Sequence, residues 1–179
     1  MKKVIAAFNM TLDGVSDRTA GIADDELHQH YADLIRNAGV ILYGRTTYQL
    51  MQYWQTLVQN PSGEKSMNDF AAAIDDIQKI VFSNTLKDTG WNTAQLATRP
   101  LLEEVLERKQ QVGNDILVGS RSLIIQLLNK DLVDELQICV HPVIEGKGAL
   151  LFDEVRGRIA LKLINTKFFA SGAAVLYYE

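Results

Sequence analysis

The sequence predicts an α/β fold built on a mostly parallel β-sheet, because short apolar runs alternate along the chain with segments of helical periodicity. Buried strands are expected at residues 4–8, 40–43, 78–82, 115–118 and 136–143. Helices between the early strands imply right-handed crossovers and therefore parallel neighbours. Residues 161–169 and 173–178 flank a Ser171-Gly172 turn and predict an antiparallel C-terminal hairpin, so the sheet is mixed.

Capping residues indicate where the predicted helices begin and end. In the first helix Leu27, Tyr31 and Leu34 share one face, Asp24 or Asp25 suits the N-cap, and Gly39 suits the left-handed position after the last turn. Further helices are expected over residues 44–54, over residues 98–111 and after residue 120, and residues 59–66 are expected to form a loop.

Length and composition narrow the classes of protein. The chain has 179 residues, which suits a single domain over residues 1–179, with 47% hydrophobic and 22% charged residues. A net charge of −4 argues against a nucleic-acid partner held by bulk charge. No window reaches the ~18 apolar residues of a membrane span, and the N-terminal apolar run is too short for a signal peptide, so we expect a cytoplasmic protein without a membrane partner.

Cysteine and histidine suggest no metal or disulfide chemistry. The single cysteine, Cys139, is expected to be a small buried core residue, and His141 lies on the same face of its strand. His28 and His30 diverge by about 200° on a helix and are expected to be solvated. The three histidines have no metal-binding spacing, so no metal is predicted.

Three predicted strands end in loops of similar composition. Residues 44–47 are Gly-Arg-Thr-Thr, residues 83–85 are Ser-Asn-Thr, and residues 119–122 are Gly-Ser-Arg-Ser. Ligands of open α/β sheets bind at the carboxyl ends of strands, where a helix start offers free N–H groups and a positive dipole end. Arginine in such a loop can pair with phosphate. Together the loops predict a phosphate-bearing small-molecule ligand, although each alone is an ordinary turn.

The standard nucleotide signatures are missing from the sequence. Neither G-x-G-x-x-G nor G-x-x-x-x-G-K-[ST] occurs, and Glu145-Gly146-Lys147-Gly148 has the wrong spacing for a phosphate loop. There is also no G-x-S-x-G, so Ser120 is not a nucleophile elbow.

Six short motifs, in order, resemble the dihydrofolate reductase superfamily, and specifically the branch that includes the C-terminal reductase domain of bacterial riboflavin-biosynthesis proteins. They are Thr11-Leu12-Asp13-Gly14, Gly44-Arg45-Thr46-Thr47-Tyr48, Ser83-Asn84-Thr85-Leu86, Val118-Gly119-Ser120 with Leu123, Leu132-Val133-Asp134-Glu135-Leu136, and Pro142-Val143-Ile144-Glu145-Gly146-Lys147-Gly148 with Leu151-Phe152. The resemblance implies a dihydrofolate-reductase-like three-layer fold and an NADPH-dependent reductase that acts on a pterin-, pyrimidine- or sugar-carbonyl-like acceptor. It also implies a homodimer, for which the apolar C-terminal hairpin is one candidate surface and equally a sheet interior.

The resemblance assigns cofactor and substrate positions. NADPH would contact Ala7, Leu12, Gly14, Gly44, Arg45, Thr46, Thr47, Ser83, Asn84, Thr85, Val118, Gly119, Ser120, Arg121, Ser122 and Leu123. Asn9, Thr11 and Glu145 would border the substrate. Catalytic roles fall to Asp13, as a proton source beside the nicotinamide or only a turn former, and to Asp24, as a substrate carboxylate or only an N-cap.

Departures from the superfamily leave the activity open. Dihydrofolate reductases have Gly-Gly where this chain has Gly119-Ser120, which favours the riboflavin-like branch. No strong general acid is evident, so a non-catalytic NADP(H)-binding module and a true dihydrofolate reductase remain alternatives.

Overall fold

The computed structural model describes residues 1–17 and 21–179, within which eight strands and five helices form. They are β1 Val4–Thr11, α1 Asp25–Asn37, β2 Val40–Gly44, α2 Arg45–Gln59, α3 Lys65–Asp76, β3 Lys79–Phe82, β4 Ala94–Leu96, α4 Leu101–Lys109, β5 Ile116–Val118, α5 Arg121–Leu128, β6 Glu135–His141, β7 Leu163–Phe168 and β8 Ala174–Tyr178. Among these helices none combines the length and apolarity that crossing a membrane requires.

All eight strands belong to one sheet in the order β4-β3-β2-β5-β1-β6-β8-β7. The six strands from β4 to β6 are parallel, and the hairpin β7–β8 joins β6 antiparallel. This arrangement confirms the predicted mixed sheet with a C-terminal hairpin. The parallel strands are short and apolar because helices cover both faces of the sheet.

The helices form two layers, one on each face. Helices α1, α2 and α3 bury Ile35, Tyr48 and Ile74 against one face, and α4 and α5 bury Val105 and Ile124 against the other. Each of the buried isoleucine and valine side chains contributes roughly 1.5–3 kcal/mol. The result is the three-layer fold that the sequence predicted.

Helix α1 begins as predicted but ends differently. Asp24 is the N-cap, and its Oδ1 accepts a hydrogen bond from the backbone N–H of Leu27 at 2.7 Å. Gly39 does not take the left-handed conformation expected of it. A Cβ at Gly39 would lie 2.9 Å from the carbonyl oxygen of Asn114. Glycine is therefore required there by the close approach of the chain before β5, not by a helix-ending turn.

Two elements lie outside the predicted set. Helix α2 continues to Gln59 instead of ending near Trp54, and α3 and the short strand β4 follow it. Helix α3 buries Phe70 and Ile74 against the sheet. Their spacing of four is the helical signal in the sequence that the prediction overlooked.

The prediction that His30 is solvated is wrong, and His28 is half-buried. His30 is only 9% exposed, and its ring centroid lies 5.2 Å from that of Tyr31 and 5.6 Å from that of Phe169. Burial lowers the pKa of His30 to about 4, with a further lowering by Lys167. His30 is therefore a neutral core residue at the α1–β8 contact.

Candidate active site

The three glycine- and hydroxyl-rich loops lie side by side at the carboxyl edge of the sheet. They follow β3, β2 and β5, which are neighbours in that order and parallel. The backbone N–H of Gly44 donates to Oγ of Ser120 at 2.8 Å, and Nη1 of Arg45 donates to Oγ1 of Thr85 at 2.7 Å. These two bonds join the three loops into one continuous surface.

The two helices that start at this surface have uncompensated positive ends. The N-caps of α2 and α5 are Gly44 and Ser120, and neither makes a side-chain capping hydrogen bond. Neither helix has an acidic residue in its first turn, whereas α1 has Asp25 and Glu26 there as well as a capping aspartate. Free N–H groups and an unneutralised dipole favour an anion at both starts.

Close packing accounts for glycine at position 119. A Cβ on Gly119 would lie 2.8 Å from Cε1 of Tyr43, which is buried in the core. A Cβ on Gly44 would lie 3.3 Å from Oγ of Ser122. Both glycines thus allow the loops to approach each other, and this packing requires glycine whether or not a ligand binds.

The predicted cofactor residues of the third loop differ in their availability. Ser120 is buried and its Oγ accepts the Gly44 N–H. Nε of Arg121 donates to the Leu150 carbonyl at 2.9 Å, and its guanidinium pairs with Asp153 and Glu154. Of the side chains in this loop, that of Ser122 is exposed.

Other predicted cofactor residues divide by burial. Val118 and Leu123 lie in the core beneath the surface, whereas Arg45, Thr46, Asn84 and Thr85 are exposed. Thr47 and Ser83 are half-buried, and Ser83 Oγ accepts the backbone N–H groups of Thr85 and Leu86. Arg45 is therefore the exposed cation on this surface, positioned by Thr85.

The turn after β1 is built around the carboxylate of Asp13. Asp13 accepts hydrogen bonds from Oγ1 of Thr11 at 2.6 Å, from N–H of Gly146 at 2.8 Å and from N–H of Glu145 at 3.2 Å. These bonds, that from Thr11 foremost, lower the pKa of Asp13 to about 2. A carboxyl group with that pKa is ionised at neutral pH, which argues against the predicted role as a proton donor. Asp13 instead ties the β1 turn to the 145–146 loop.

The other predicted residues of the β1 turn and of the 145–146 loop differ in burial. Thr11 is fully buried, and its Oγ1 also accepts the Val15 N–H at 3.0 Å, so its hydroxyl is engaged within the protein. Gly14 has a φ of +86° and Leu12 is 64% exposed. The side chain of Glu145 is exposed.

Strand β1 extends beyond its neighbour β5. Its pairing with β5 ends at Ala6 and Val118, but its pairing with β6 continues to Thr11 and His141. Residues 8–10 therefore have a sheet neighbour on one side only, and Ala7 stands where the open side begins. This step in the sheet lies beside the Gly119 loop.

Asn9 faces α1 within this step and contacts two residues that the prediction did not include. Its Oδ1 lies 3.0 Å from the hydroxyl of Tyr31 and 3.0 Å from Nε2 of His141. Nδ1 of His141 in turn accepts the backbone N–H of Ile22 at 3.0 Å. The same-face spacing of Cys139 and His141 was visible in the sequence, but Tyr31 had been explained as a core residue.

Cys139 is buried as predicted, and burial raises its pKa to about 12. Its Sγ is 3.6 Å from Nε2 of His141. A thiol with that pKa is protonated at neutral pH, so the pair is not an activated nucleophile.

A separate groove of about 740 Å³ lies between α1, the start of α3 and the end of β7. Asp25, Glu64 and Phe168 are among the residues that line it, and none of the predicted cofactor residues does. Because it is distant in sequence and topology from the strand-end loops, we do not place the cofactor there.

Comparison with known proteins identifies relatives over the whole chain. Residues 2–177 match the family of the RibD C-terminal domain. The chain is 33% identical over 182 residues to YyaP of Bacillus subtilis (strain 168), an uncharacterised protein, with 99% of this chain and 95% of YyaP covered.

Solved structures at low sequence identity share the fold. A putative riboflavin biosynthesis protein from Shewanella sp. PV-4 has a TM-score of 0.69 and 16% identity, with 98% of this chain and 97% of that chain covered. A Thermotoga maritima diaminohydroxyphosphoribosylaminopyrimidine deaminase/5-amino-6-(5-phosphoribosylamino)uracil reductase has a TM-score of 0.68 and 17% identity, with 99% of this chain and 56% of that chain covered. The chain therefore belongs to the family of RibD C-terminal domains and has the dihydrofolate-reductase-like fold that its motifs predicted.

Proposed function

We propose that this protein is an NADPH-dependent reductase that transfers hydride to a pyrimidine-like acceptor. The observation that carries the proposal is the contact of the three strand-end loops, through the Gly44–Ser120 and Arg45–Thr85 hydrogen bonds, beside two helix starts without caps. Family membership and the uracil reductase named among the structural relatives support the choice of acceptor.

The residues of this surface fit the cofactor chemically. The free N–H groups of α2 and α5 suit its phosphates, and the exposed guanidinium of Arg45 suits the 2′-phosphate that distinguishes NADPH from NADH. When bound, NADPH supplies the hydride. The small side chain of Ala7 and the open side of β1 would leave room for the nicotinamide ring at the sheet step. The chain's own contribution is to bind, orient and exclude water.

The cofactor assignment is tested by ligand-induced stabilisation. NADPH at 100 times its Kd should add about 2.7 kcal/mol to the free energy of unfolding, measured as a rise in Tm. Arg45→Gln should weaken NADPH binding by about tenfold and leave NADH binding unchanged, because only NADPH carries the extra phosphate. Arg36→Gln removes the same charge from the far end of α1, where Arg36 pairs with Asp33, and serves as control. Equal Tm with and without NADPH would contradict the proposal.

A turnover assay distinguishes a reductase from a module that only binds the cofactor. Mixing enzyme, NADPH and 5-amino-6-(5-phosphoribosylamino)uracil should produce a fall in absorbance at the wavelength of reduced nicotinamide. The ionised state of Asp13 favours one alternative, a module that binds NADP(H) without catalysis, because it removes the predicted proton donor. Tight NADPH binding without oxidation by this acceptor would support that alternative.

Dihydrofolate is disfavoured as the acceptor by the position of Asp24. Its Oδ1 is engaged as the N-cap of α1, so it is not a free carboxylate for a pterin. We therefore expect no oxidation of NADPH with dihydrofolate.

We also propose that the protein forms a homodimer through the hairpin edge. Strand β7 is the last strand of the sheet and is exposed along its length, with Leu163, Ile164 and Phe168 at 51%, 43% and 75% exposure. An unpaired, apolar edge strand favours association with another chain.

A further inference from the structure

The carboxamide of Asn9 is held in one orientation by two hydrogen-bond donors. The Tyr31 hydroxyl donates to Oδ1 of Asn9 at 3.0 Å from α1, and Nε2 of His141 lies 3.0 Å from the same oxygen on β6. Both donors reach the oxygen from the side of α1 and β6. Nε2 of His141 can donate to the Asn9 oxygen only if it carries the ring proton, so the orientation of the carboxamide depends on the position of that proton.

The backbone of Ile22 determines that proton's position. Its N–H donates to Nδ1 of His141 at 3.0 Å, and a ring nitrogen that accepts a hydrogen bond carries no proton. Burial lowers the pKa of His141, outweighing the opposing effect of Asp24, so the ring is neutral at neutral pH. A neutral ring has one proton, which must then be on Nε2. The Asn9 oxygen, at 3.0 Å, is a nearer and stronger acceptor for it than Cys139 Sγ at 3.6 Å.

The amide nitrogen of Asn9 therefore points away from β6. Oδ1 and Nδ2 diverge by about 120° from a planar carbon, and Oδ1 is directed to Tyr31 and His141. On the opposite side of β1 the pairing with β5 has already ended at Ala6. Within residues 1–17 and 21–179, Nδ2 of Asn9 has no acceptor. The donor thus faces the open step beside the Gly119 loop.

We propose that Asn9 is a specificity-determining residue whose Nδ2–H donates to a ring carbonyl oxygen of the pyrimidine acceptor, and that Tyr31 and His141 are positioning residues that fix this donor. The inference rests on the proposed reductase function, because it places the acceptor at the sheet step. It adds a requirement on the pyrimidine substrate: the ring atom that faces Asn9 must accept a hydrogen bond and not donate one. A ring bearing an N–H or amino group at that point would meet a second donor and be rejected.

Binding can be observed at the carboxamide itself. Protein labelled with ¹⁵N in asparagine and histidine side chains is titrated with 5-amino-6-(5-phosphoribosylamino)uracil in the presence of NADP⁺, which cannot donate hydride. The Asn9 amide resonances, assigned by their loss in Asn9→Asp, should shift on titration. The imidazole spectrum of His141 should show the proton on Nε2. Resonances of Asn9 that do not move at saturating uracil compound, or a proton on Nδ1, would overturn the inference.

Substitution tests the consequence for turnover. Asn9→Asp is nearly isosteric and keeps an oxygen for Tyr31 and His141, but replaces the donor with an acceptor. We expect kcat/KM for the uracil compound to fall on the order of 10- to 100-fold, with the Kd for NADPH within about twofold of wild type. Asn92→Asp makes the same charge change at an exposed site before β4 and should behave as wild type. Wild-type turnover in Asn9→Asp would overturn the inference.

A positioning role for Tyr31 has its own signature. Tyr31→Phe keeps the ring but removes one donor to Asn9, so KM should rise severalfold while kcat stays within about twofold. The Asn9 amide resonances should also shift in the free variant. Unchanged resonances and KM would show that Tyr31 does not position Asn9.

Failure of the parent proposal is distinguishable from failure of this one. If wild-type protein does not bind NADPH, the reductase proposal fails, and the spectral titration is repeated with the uracil compound alone. A shift of the Asn9 resonances then still supports the donor assignment, and no shift overturns it.

Discussion

Lys79, at the start of β3, should make the stability of this protein rise with pH. Its side chain is fully buried, and its Nζ donates to the carbonyl oxygens of Ile77 and Asp75 at 2.8 and 3.2 Å and to Oγ1 of Thr93 at 2.6 Å. It also lies 4.2 Å from the centroid of the Trp91 ring. Burial lowers the pKa of Lys79 from 10.5 to about 8, although Asp75 and Asp76 act in the opposite direction.

The sign and size of the effect follow from these values. Below pH 8 Lys79 is protonated in both the folded and the unfolded chain, and the folded state carries the cost of a buried ammonium. Between pH 8 and 10.5 the unfolded chain binds more protons, so the free energy of unfolding increases with pH. At ~1.36 kcal/mol per pH unit, the difference between 10.5 and about 8 amounts to about 3 kcal/mol.

Urea denaturation of wild type and Lys79→Met from pH 7 to pH 11 measures this contribution. Methionine keeps the length of the apolar stem but does not titrate. Buried groups with raised pKa values, such as Tyr48 and Cys139, are present in both proteins, so their effects cancel in the difference. The free energy of unfolding of wild type minus that of the variant should rise by up to about 3 kcal/mol across this range. A difference that does not change with pH would refute the reasoning.

Three further predictions concern packing, reactivity and assembly. Gly119→Ala should lower the free energy of unfolding by about 1–3 kcal/mol, because its Cβ would lie 2.8 Å from the Tyr43 ring. Gly63→Ala, whose Cβ would have no atom within 4 Å, should change the free energy of unfolding little. Chemical denaturation of the two variants compares these effects. Cys139, buried and with a pKa raised to about 12, should resist iodoacetamide at pH 8 in the native state and react once urea unfolds the chain; rapid native labelling would contradict its burial. Phe168→Glu, on the exposed edge strand, should convert the proposed dimer to monomers in sedimentation velocity, and an unchanged sedimentation coefficient would argue against the hairpin interface.

The elements predicted with most success are those whose signal is local. Strands β1, β2 and β5 are apolar runs with polar ends, and the Asp24 cap precedes a regular helical stripe, so neighbouring residues determine these features. Helix α3 and strand β4 were not predicted. Strand β4 has three residues, of which none is buried, and it forms because β3 offers an edge with which it can pair. Pairing of that kind depends on a partner and not on the segment's own composition.

The predicted site residues show the same difference between features set by neighbouring residues and features set by distant ones. Glycine and hydroxyl residues after parallel strands indicated loops at one edge of a sheet, and strand order brings them into contact. Arg121 illustrates what the motif alone does not convey, since its guanidinium is paired with Asp153 and Glu154, more than thirty residues away. For Asp13, hydrogen bonds from Thr11 and from the distant 145–146 loop lower the pKa of its carboxyl, which favours the alternative of a turn former over that of a proton source.

By itself the sequence determined the mixed α/β fold, the family and the loops that meet at the carboxyl edge, because periodicity, caps and short motifs are properties of neighbouring residues. Only the tertiary structure decided which polar groups are free and which way they point. Asn9, Tyr31 and His141 come from β1, α1 and β6, and no spacing along the chain relates them. The orientation of the Asn9 donor exists because three separate elements place two donors on one oxygen, and that is a consequence of packing.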